Sequence, residues 1–365
     1  MISNLKKSIS LEDIELHGDS FAKEIRYYLN KYQMTQKELS MRLGLSIKHV
    51  NSILNDAISD ISVSVLEGLE YAFQLETGTL TTIYHIYSNL KSSKIHGYVE
   101  EQLRHFGINF IIEHPELSLP FNICITNKMP THLKLLNLKR FYGVSSLNDY
   151  TSYLKEHVLA EQVKYLDKPN SYTWIRFCEL SVKFNDQPIG VFRKGLFSPI
   201  MKKLLNIMSN KDLTFHKKID EIKAYLITKG IVLVTKQFIE KSLIRGITLK
   251  KGGKRYIFLS DMYNTESYIF LALLHEIVHC YFPESSEVEI DQKVFEEYRY
   301  WESQTNTTYK AIYDAILSYE QASLIKKENP NTDTSYIWQL MQNKYPHVSF
   351  DDDIIDKWGK KQNDL

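Results

Sequence analysis

Residues 268–282 read Tyr268-Ile-Phe-Leu-Ala-Leu-Leu-His275-Glu276-Ile-Val-His279-Cys280-Tyr281-Phe282. The run is apolar except for a His-Glu-x-x-His set into its second half. Positions four apart on a helix lie on one face, so His275 and His279 can present two imidazoles to one metal ion. Glu276 follows the first of them, placed to reach a water held by that ion. A helix otherwise this apolar is expected to be buried, and three ionisable side chains on a buried helix need partners. A metal ion is one such partner. Backbone groups around an ordinary core helix are the alternative.

Working outward, a chain of 365 residues implies two or three domains. At 43% hydrophobic and 12% aromatic it can bury a sizeable core. The net charge of +1 predicts no partner for the chain as a whole. Its sign is polarised, however. Residues 193–255 carry 16 Lys/Arg against 4 Asp/Glu, and residues 256–365 carry 9 against 19. Either the two stretches attract each other, or the basic one meets nucleic acid or an acidic partner. Cys124, Cys178 and Cys280 are far apart with no CxxC, which argues for a reducing compartment and against a disulfide framework. Met1-Ile-Ser-Asn-Leu-Lys-Lys lacks the apolar core of a signal peptide. No run approaches the roughly 18 apolar residues of a membrane span. A soluble cytoplasmic protein, without membrane contact, is the expectation.

Residues 1–19 form a lead with little periodicity. Ser20 is a plausible cap for a helix with Phe21, Ile25, Tyr28 and Leu29 on one face. Thr35 and Glu38 are spaced as a capping box, Gly44 ends that short helix in a tight turn, and Ser46 caps the next. Leu39, Leu43, Leu45, Val50 and Ile53 let the two helices cross as a helix-turn-helix, whose second helix would enter the major groove of duplex DNA. With a fourth helix at Val63–Phe73 and a fifth at Leu80–Tyr87, residues 20–92 resemble the phage-repressor-like (Xre) DNA-binding family, nearest its HigA-like antitoxin branch. The resemblance implies a five-helix lambda-repressor-like domain with operator DNA as ligand. By position, Gln36 and Lys37 would bond phosphates. Ser46, Lys48, His49, Asn51 and Ser52 would line the recognition helix, with Asn51 able to read adenine. Residues 20–91 balance 7 Lys/Arg with 7 Asp/Glu, so tight binding would need a homodimer or the basic stretch further on.

Residues 93–199 read as a helical connecting region, with a helix at 98–106, an extended run at Ile108–Glu113, and helices leading through Leu133–Phe141 and Leu147–Val158. From Lys217 the pattern is mixed. A helix ends at Gly230, then come short strands at Ile231–Val234, Ile247–Leu249 and Arg255–Leu259, with a turn at Gly252–Gly253. The overall class is mainly α with a C-terminal α+β part. Two histidines as ligands with a glutamate as general base is the helix pattern of zinc peptidases. This half resembles the ImmA/IrrE family of zinc metallopeptidase-like domains, over residues 200–302. The resemblance rests on Gly230-Ile-Val-Leu-Val, on Tyr256-Ile-Phe-Leu-Ser, and on Leu274-His275-Glu276-Ile-Val-His279. It implies a small zincin-like fold, Zn²⁺ held by His275, His279 and a third ligand, and Glu276 as the catalytic base. The third ligand falls in Glu284-Ser-Ser-Glu287-Val-Glu289-Ile-Asp291. If it is Glu287, Asp291 can take the outer N–H of a ligand histidine, since 287, 291 and 294 share a helix face. If it is Glu289, Phe295 matches the family phenylalanine but Lys293 stands where an acceptor belongs. Residues 303–365 are a helical extension, with helices at Tyr309–Ile325, from Ser335, and through Asp351–Trp358.

Together the two resemblances imply a transcriptional regulator. Its metallo-endopeptidase domain would act on a protein partner such as a repressor or a toxin–antitoxin or phage-related protein. The alternative is an antitoxin-like repressor whose peptidase-like domain is an inactive sensor or scaffold.

Overall fold

The computed structural model describes residues 14–58, 60–92, 96–118, 123–168, 170–182 and 188–350. The chain is mainly helical with one small sheet, and it divides into two compact units. One comprises Met1–Leu103 with Ile125–Asn137, the other Arg104–Cys124 with Leu138–Leu365. The expected helix at Asp351–Trp358 lies outside the described residues.

The first unit opens with five helices: α1 (Phe21–Lys31), α2 (Gln36–Leu43), α3 (Ile47–Leu54), α4 (Val63–Ala72) and α5 (Thr79–Ser92). Local chemistry sets their ends. Ser20, Thr35 and Ser46 each accept a backbone N–H two or three residues into the helix they precede. The Thr35 capping box is only half formed, because the Glu38 carboxylate turns outward to Arg42 at 2.8 Å. Gly44 stops α2 at φ +65°, a conformation that costs glycine nothing and sends the chain sharply into α3. Ile25, Leu39, Val50, Ile53, Leu66, Leu69 and Phe73 close a common core. Glu70, fully buried beneath it, accepts N–H bonds from Gly78 (2.7 Å) and Thr81 (2.9 Å) at the start of α5. A buried carboxylate is tolerated there because the helix start supplies unpaired donors.

The chain continues through α6 (His96–His105), α7 (Ile108–Glu113), α8 (Pro115–Ser118), α9 (Thr131–Tyr142), α10 (Leu147–His157), a 3-10 stretch (Ala160–Asp167) and α11 (Ser171–Val182). Ile108–Glu113 is a helix, not the extended run its composition suggested. Ile108 and Ile111 are one helical turn apart and both buried, and a short apolar run does not separate the two periods.

In the second unit, α12 (Phe197–Met208) and α13 (Phe215–Ile227) precede β1 (Ile231–Lys236), β2 (Gly246–Lys251) and β3 (Lys254–Ser260). The sheet order is β1-β3-β2, with β1 and β3 parallel and β2 and β3 antiparallel. The strand β2 is therefore an edge. Next come α14 (Glu266–Tyr281), α15 (Glu287–Thr305), α16 (Lys310–Glu328) and α17 (Ser335–Lys344). As its composition demands, α14 is buried almost throughout and packs on the sheet, α12, α15 and α16. Inward residues Ile257 and Leu259 of β3 join Phe270, Leu273, Leu274 and Ile277 in that core. Of the basic stretch, Lys218 pairs with the acidic segment at Glu266 (2.6 Å). No described helix is long and apolar enough to cross a membrane.

Candidate metal centre

His275, Glu276 and His279 leave α14 through its C-terminal half, and α15 runs back beside it. A reciprocal capping box fixes the start of α15. Ser286 accepts from the Glu289 N–H, and Glu289 Oε2 accepts from the Ser286 N–H at 2.9 Å. This spends Glu289 at the exposed helix start, away from the converging donors. Glu287, the first residue of α15, instead meets the histidines.

His275 Nε2 lies 3.0 Å from His279 Nε2 and 3.1 Å from Glu287 Oε2, and His279 Nε2 lies 3.9 Å from the same oxygen. One ligand atom from each residue falls within 4.8 Å of the others. Two imidazole nitrogens facing each other at this distance are favourable only around a proton or a cation. His279 is fully buried, and its Nδ1 and Glu287 Oε1 are buried with no hydrogen-bond partner among the described residues. The three residues form a possible metal-binding triad through His275 Nε2, His279 Nε2 and Glu287 Oε2. Asp291 accepts from His275 Nδ1 at 2.8 Å, which leaves Nε2 to face the centre. Burial alone would lower the pKa of His275, but hydrogen bonds to Asp291 and Glu287 and the nearby carboxylate charges raise it to about 9. Burial opposes ionisation of Glu287 too, yet both histidines hold it far below the usual carboxylate range. Cys280, also buried, is not among the converging donors, and burial pushes its thiol up.

Glu276 is not free. Its oxygens accept from Gln162 Nε2 at 2.9 and 3.1 Å, and Oε2 accepts from Thr248 Oγ1 at 2.6 Å. Gln162 Oε1 in turn accepts the Thr248 backbone N–H of the edge strand at 2.8 Å. Just before it, Val158 pairs antiparallel with Leu249. The chain thus meets β2 at two points, through the Val158 backbone and the Gln162 side chain, and the Gln162 carboxamide bridges the edge strand and the Glu276 carboxylate. The space left is small, about 40 Å³, between Gln162, Tyr165, Arg245, His275, Glu276 and Glu287. Lys164 Nζ stands 3.6 Å from Glu287 Oε1.

The edge strand approaches α14 closely because Gly246 has no side chain. A Cβ there would lie 2.7 Å from Glu276 Cγ and 2.8 Å from Oε1. Gly246→Ala is expected to displace the Glu276 carboxylate and cost about 1–3 kcal/mol in thermal or urea unfolding. Unchanged stability would mean that Glu276 swings aside freely.

Of the expected residues, His275, His279, Glu287 and Asp291 come together, and Glu276 lines a small cavity with His275 and Glu287. Gln162, Tyr165, Arg245 and Thr248 were not read from the sequence. No motif marks them, and Gln162 stands 114 residues before Glu276.

In the first unit, Lys37, Ser46, Lys48 and His49 are exposed on α2, at the cap, and on α3, while Gln36, Asn51 and Ser52 are half-buried. Ser46 Oγ is committed to the His49 N–H (3.1 Å), and the Ser52 hydroxyl donates to Lys48 O (3.0 Å). Lys48 and His49 are thus the exposed side chains on α3 among these residues, with Asn51 beside them.

Neither a family model, nor a curated protein, nor a solved structure matches the chain.

Proposed function

We propose that the chain is a DNA-binding transcriptional regulator whose second unit is a zinc-dependent metallo-endopeptidase. The observation that carries this reading is the convergence of His275, His279 and Glu287 beside a small cavity that His275, Glu276 and Glu287 line. Two imidazoles and one carboxylate suit zinc and leave a position for water. Bound zinc supplies the Lewis acid that polarises a scissile carbonyl and acidifies a water. Glu276 takes the proton of the attacking water and returns it to the leaving amine. Asp291 holds the His275 tautomer. Tyr165 and Arg245 are donors on the cavity wall for a developing oxyanion. The substrate is a protein, and its class is that of a repressor or toxin–antitoxin partner.

A second reading has its own support: Glu276 is bonded by Gln162 and Thr248. In that reading the unit is an inactive sensor or scaffold of an antitoxin-like repressor. Zinc content of the purified chain, with cleavage of an internally quenched mixed-sequence peptide library by wild type and Glu276→Gln, tests the peptidase reading. Absence of zinc, or equal cleavage by both, removes it.

The DNA reading rests on the helix pair α2–α3 with its exposed Lys37, Lys48 and His49. Asn51→Ala is expected to lower selectivity by about 1–3 kcal/mol per site, scored by selection from random duplexes. Retained selectivity takes α3 out of base readout.

A further inference from the structure

A second cavity lies away from the cluster of His275, His279 and Glu287. It lies on the opposite face of the β2–β3 hairpin and encloses about 550 Å³. The hairpin register separates the two sites. Thr248 faces Glu276 on α14. Leu249 and Lys251, alternating with it, and Tyr256 and Phe258 on β3 face the other way, into the cavity. The remaining walls come from α10, with Tyr150 and Tyr153, and from α11, with Arg176 and Glu179. The volume lies in the range of small-molecule sites, and the walls are largely aromatic.

The polar groups specify what such a molecule must carry. Arg176 is buried. Its Nε donates to Phe141 O at 2.7 Å, and its Nη1 donates to Glu179 Oε2 at 3.1 Å. Glu179 is saturated further by Tyr150 OH (3.0 Å) and Tyr153 OH (2.8 Å). Nη2 has no hydrogen bond among the described residues and points at the Gly143 turn, where a Cβ would lie 3.2 Å away. At the rim, Lys251 Nζ spends one donor on Tyr153 OH (3.1 Å). Asp149, the other carboxylate on the lining, caps α10 through the Ser146 N–H at 3.0 Å. Glu179 has both oxygens bonded within the wall and Asp149 is exposed at the helix start, so the donors of Arg176 and Lys251 are the capacity offered to an acid group.

We propose that this cavity binds a small aromatic carboxylate. The ring stacks among Tyr153, Tyr256 and Phe258, and the acid group takes the free donors of Arg176 and Lys251. The site stands independently of the peptidase reading.

The test is calorimetric titration of the full chain with 2-naphthoate, with the isosteric neutral 2-naphthalenemethanol and with cationic 2-naphthylmethylamine. The acid is expected to bind at least about tenfold more tightly than either. Lys251→Met, an exposed change, is expected to remove about tenfold of the acid's affinity and leave that of the alcohol unchanged. Val144→Trp, at a half-buried wall position, is expected to fill the space and abolish all binding while the far-ultraviolet dichroism stays that of wild type. Equal affinity for the three probes, no binding of 2-naphthoate, or undiminished binding to a folded Val144→Trp chain would each overturn the proposal.

Discussion

His279→Ala is expected to abolish zinc binding, the largest single effect on the second unit. Loss of a partner such as Asp291 in a metal site typically lowers affinity about 10–100-fold. Removal of one of three direct ligands costs more, on the order of a thousandfold. The readout is the zinc-induced shift in unfolding free energy of each chain against its own metal-free form, so that any packing cost of the variant cancels. A ligand at 100 times its Kd stabilises by about 2.7 kcal/mol. Wild type is expected to show a shift of that order, and His279→Ala none. Glu289→Ala is the matched control. It removes a cap from the same helix and is expected to leave the zinc shift intact. A zinc shift in His279→Ala equal to that of wild type would exclude the triad His275, His279 and Glu287. The pH must be fixed in this comparison. In the metal-free chain the folded-state pKa of His275 is raised from 6.5 to about 9. Its ion pairs with Glu287 and Asp291 therefore contribute stability that is full below about pH 6.5 and is lost as pH rises through about 9.

Much of the site could be read from the chain because helical spacing carries it. His275 and His279 needed only the four-residue interval. Glu287 and Asp291 share a face of the next helix by the same rule, and the capping box that holds Glu289 at Ser286 is also a local feature. The first three helices of the first unit were legible from caps and apolar positions, down to Gly44, and the next two only from the family resemblance. Ile108–Glu113 was not, because an apolar run of six residues fits either period. Gln162 was illegible for a different reason. Its role depends on the pairing of Val158 with the edge strand, a contact between segments far apart in sequence. Nothing in residues 158–162 signals it. The aromatic cavity is of the same kind. No spacing in the sequence joins Tyr150 and Tyr153 to Tyr256, and only the fold brings the helix and the strand to one space.

The Gln162 contact yields the second large effect. Its carboxamide donates to Glu276 and accepts from Thr248 N–H, as a peptide group laid along the edge strand would do at both ends. On the peptidase reading, an incoming chain has to displace it, and Glu276 has to exchange these bonds before it can serve as general base. Hydrogen bonds to a charged group are each worth about 1.5–3 kcal/mol net. Water replaces part of this on opening, so Gln162→Ala is expected to raise peptide-library cleavage by about tenfold or more. In the same chain, affinity for acetohydroxamate, a small zinc-directed probe that needs no protein substrate, is expected to rise. Adding Glu276→Gln to Gln162→Ala is expected to return cleavage to background while zinc stays bound. The outcomes separate the two readings of the second unit. Cleavage that rises in Gln162→Ala and falls with Glu276→Gln belongs to a peptidase held closed by its own chain. Zinc bound, hydroxamate bound and no cleavage in either variant belongs to a sensor that keeps the metal and has lost the chemistry. If hydroxamate affinity and cleavage are both unmoved by Gln162→Ala, the segment 158–162 is a wall of the fold and not a gate to the metal centre.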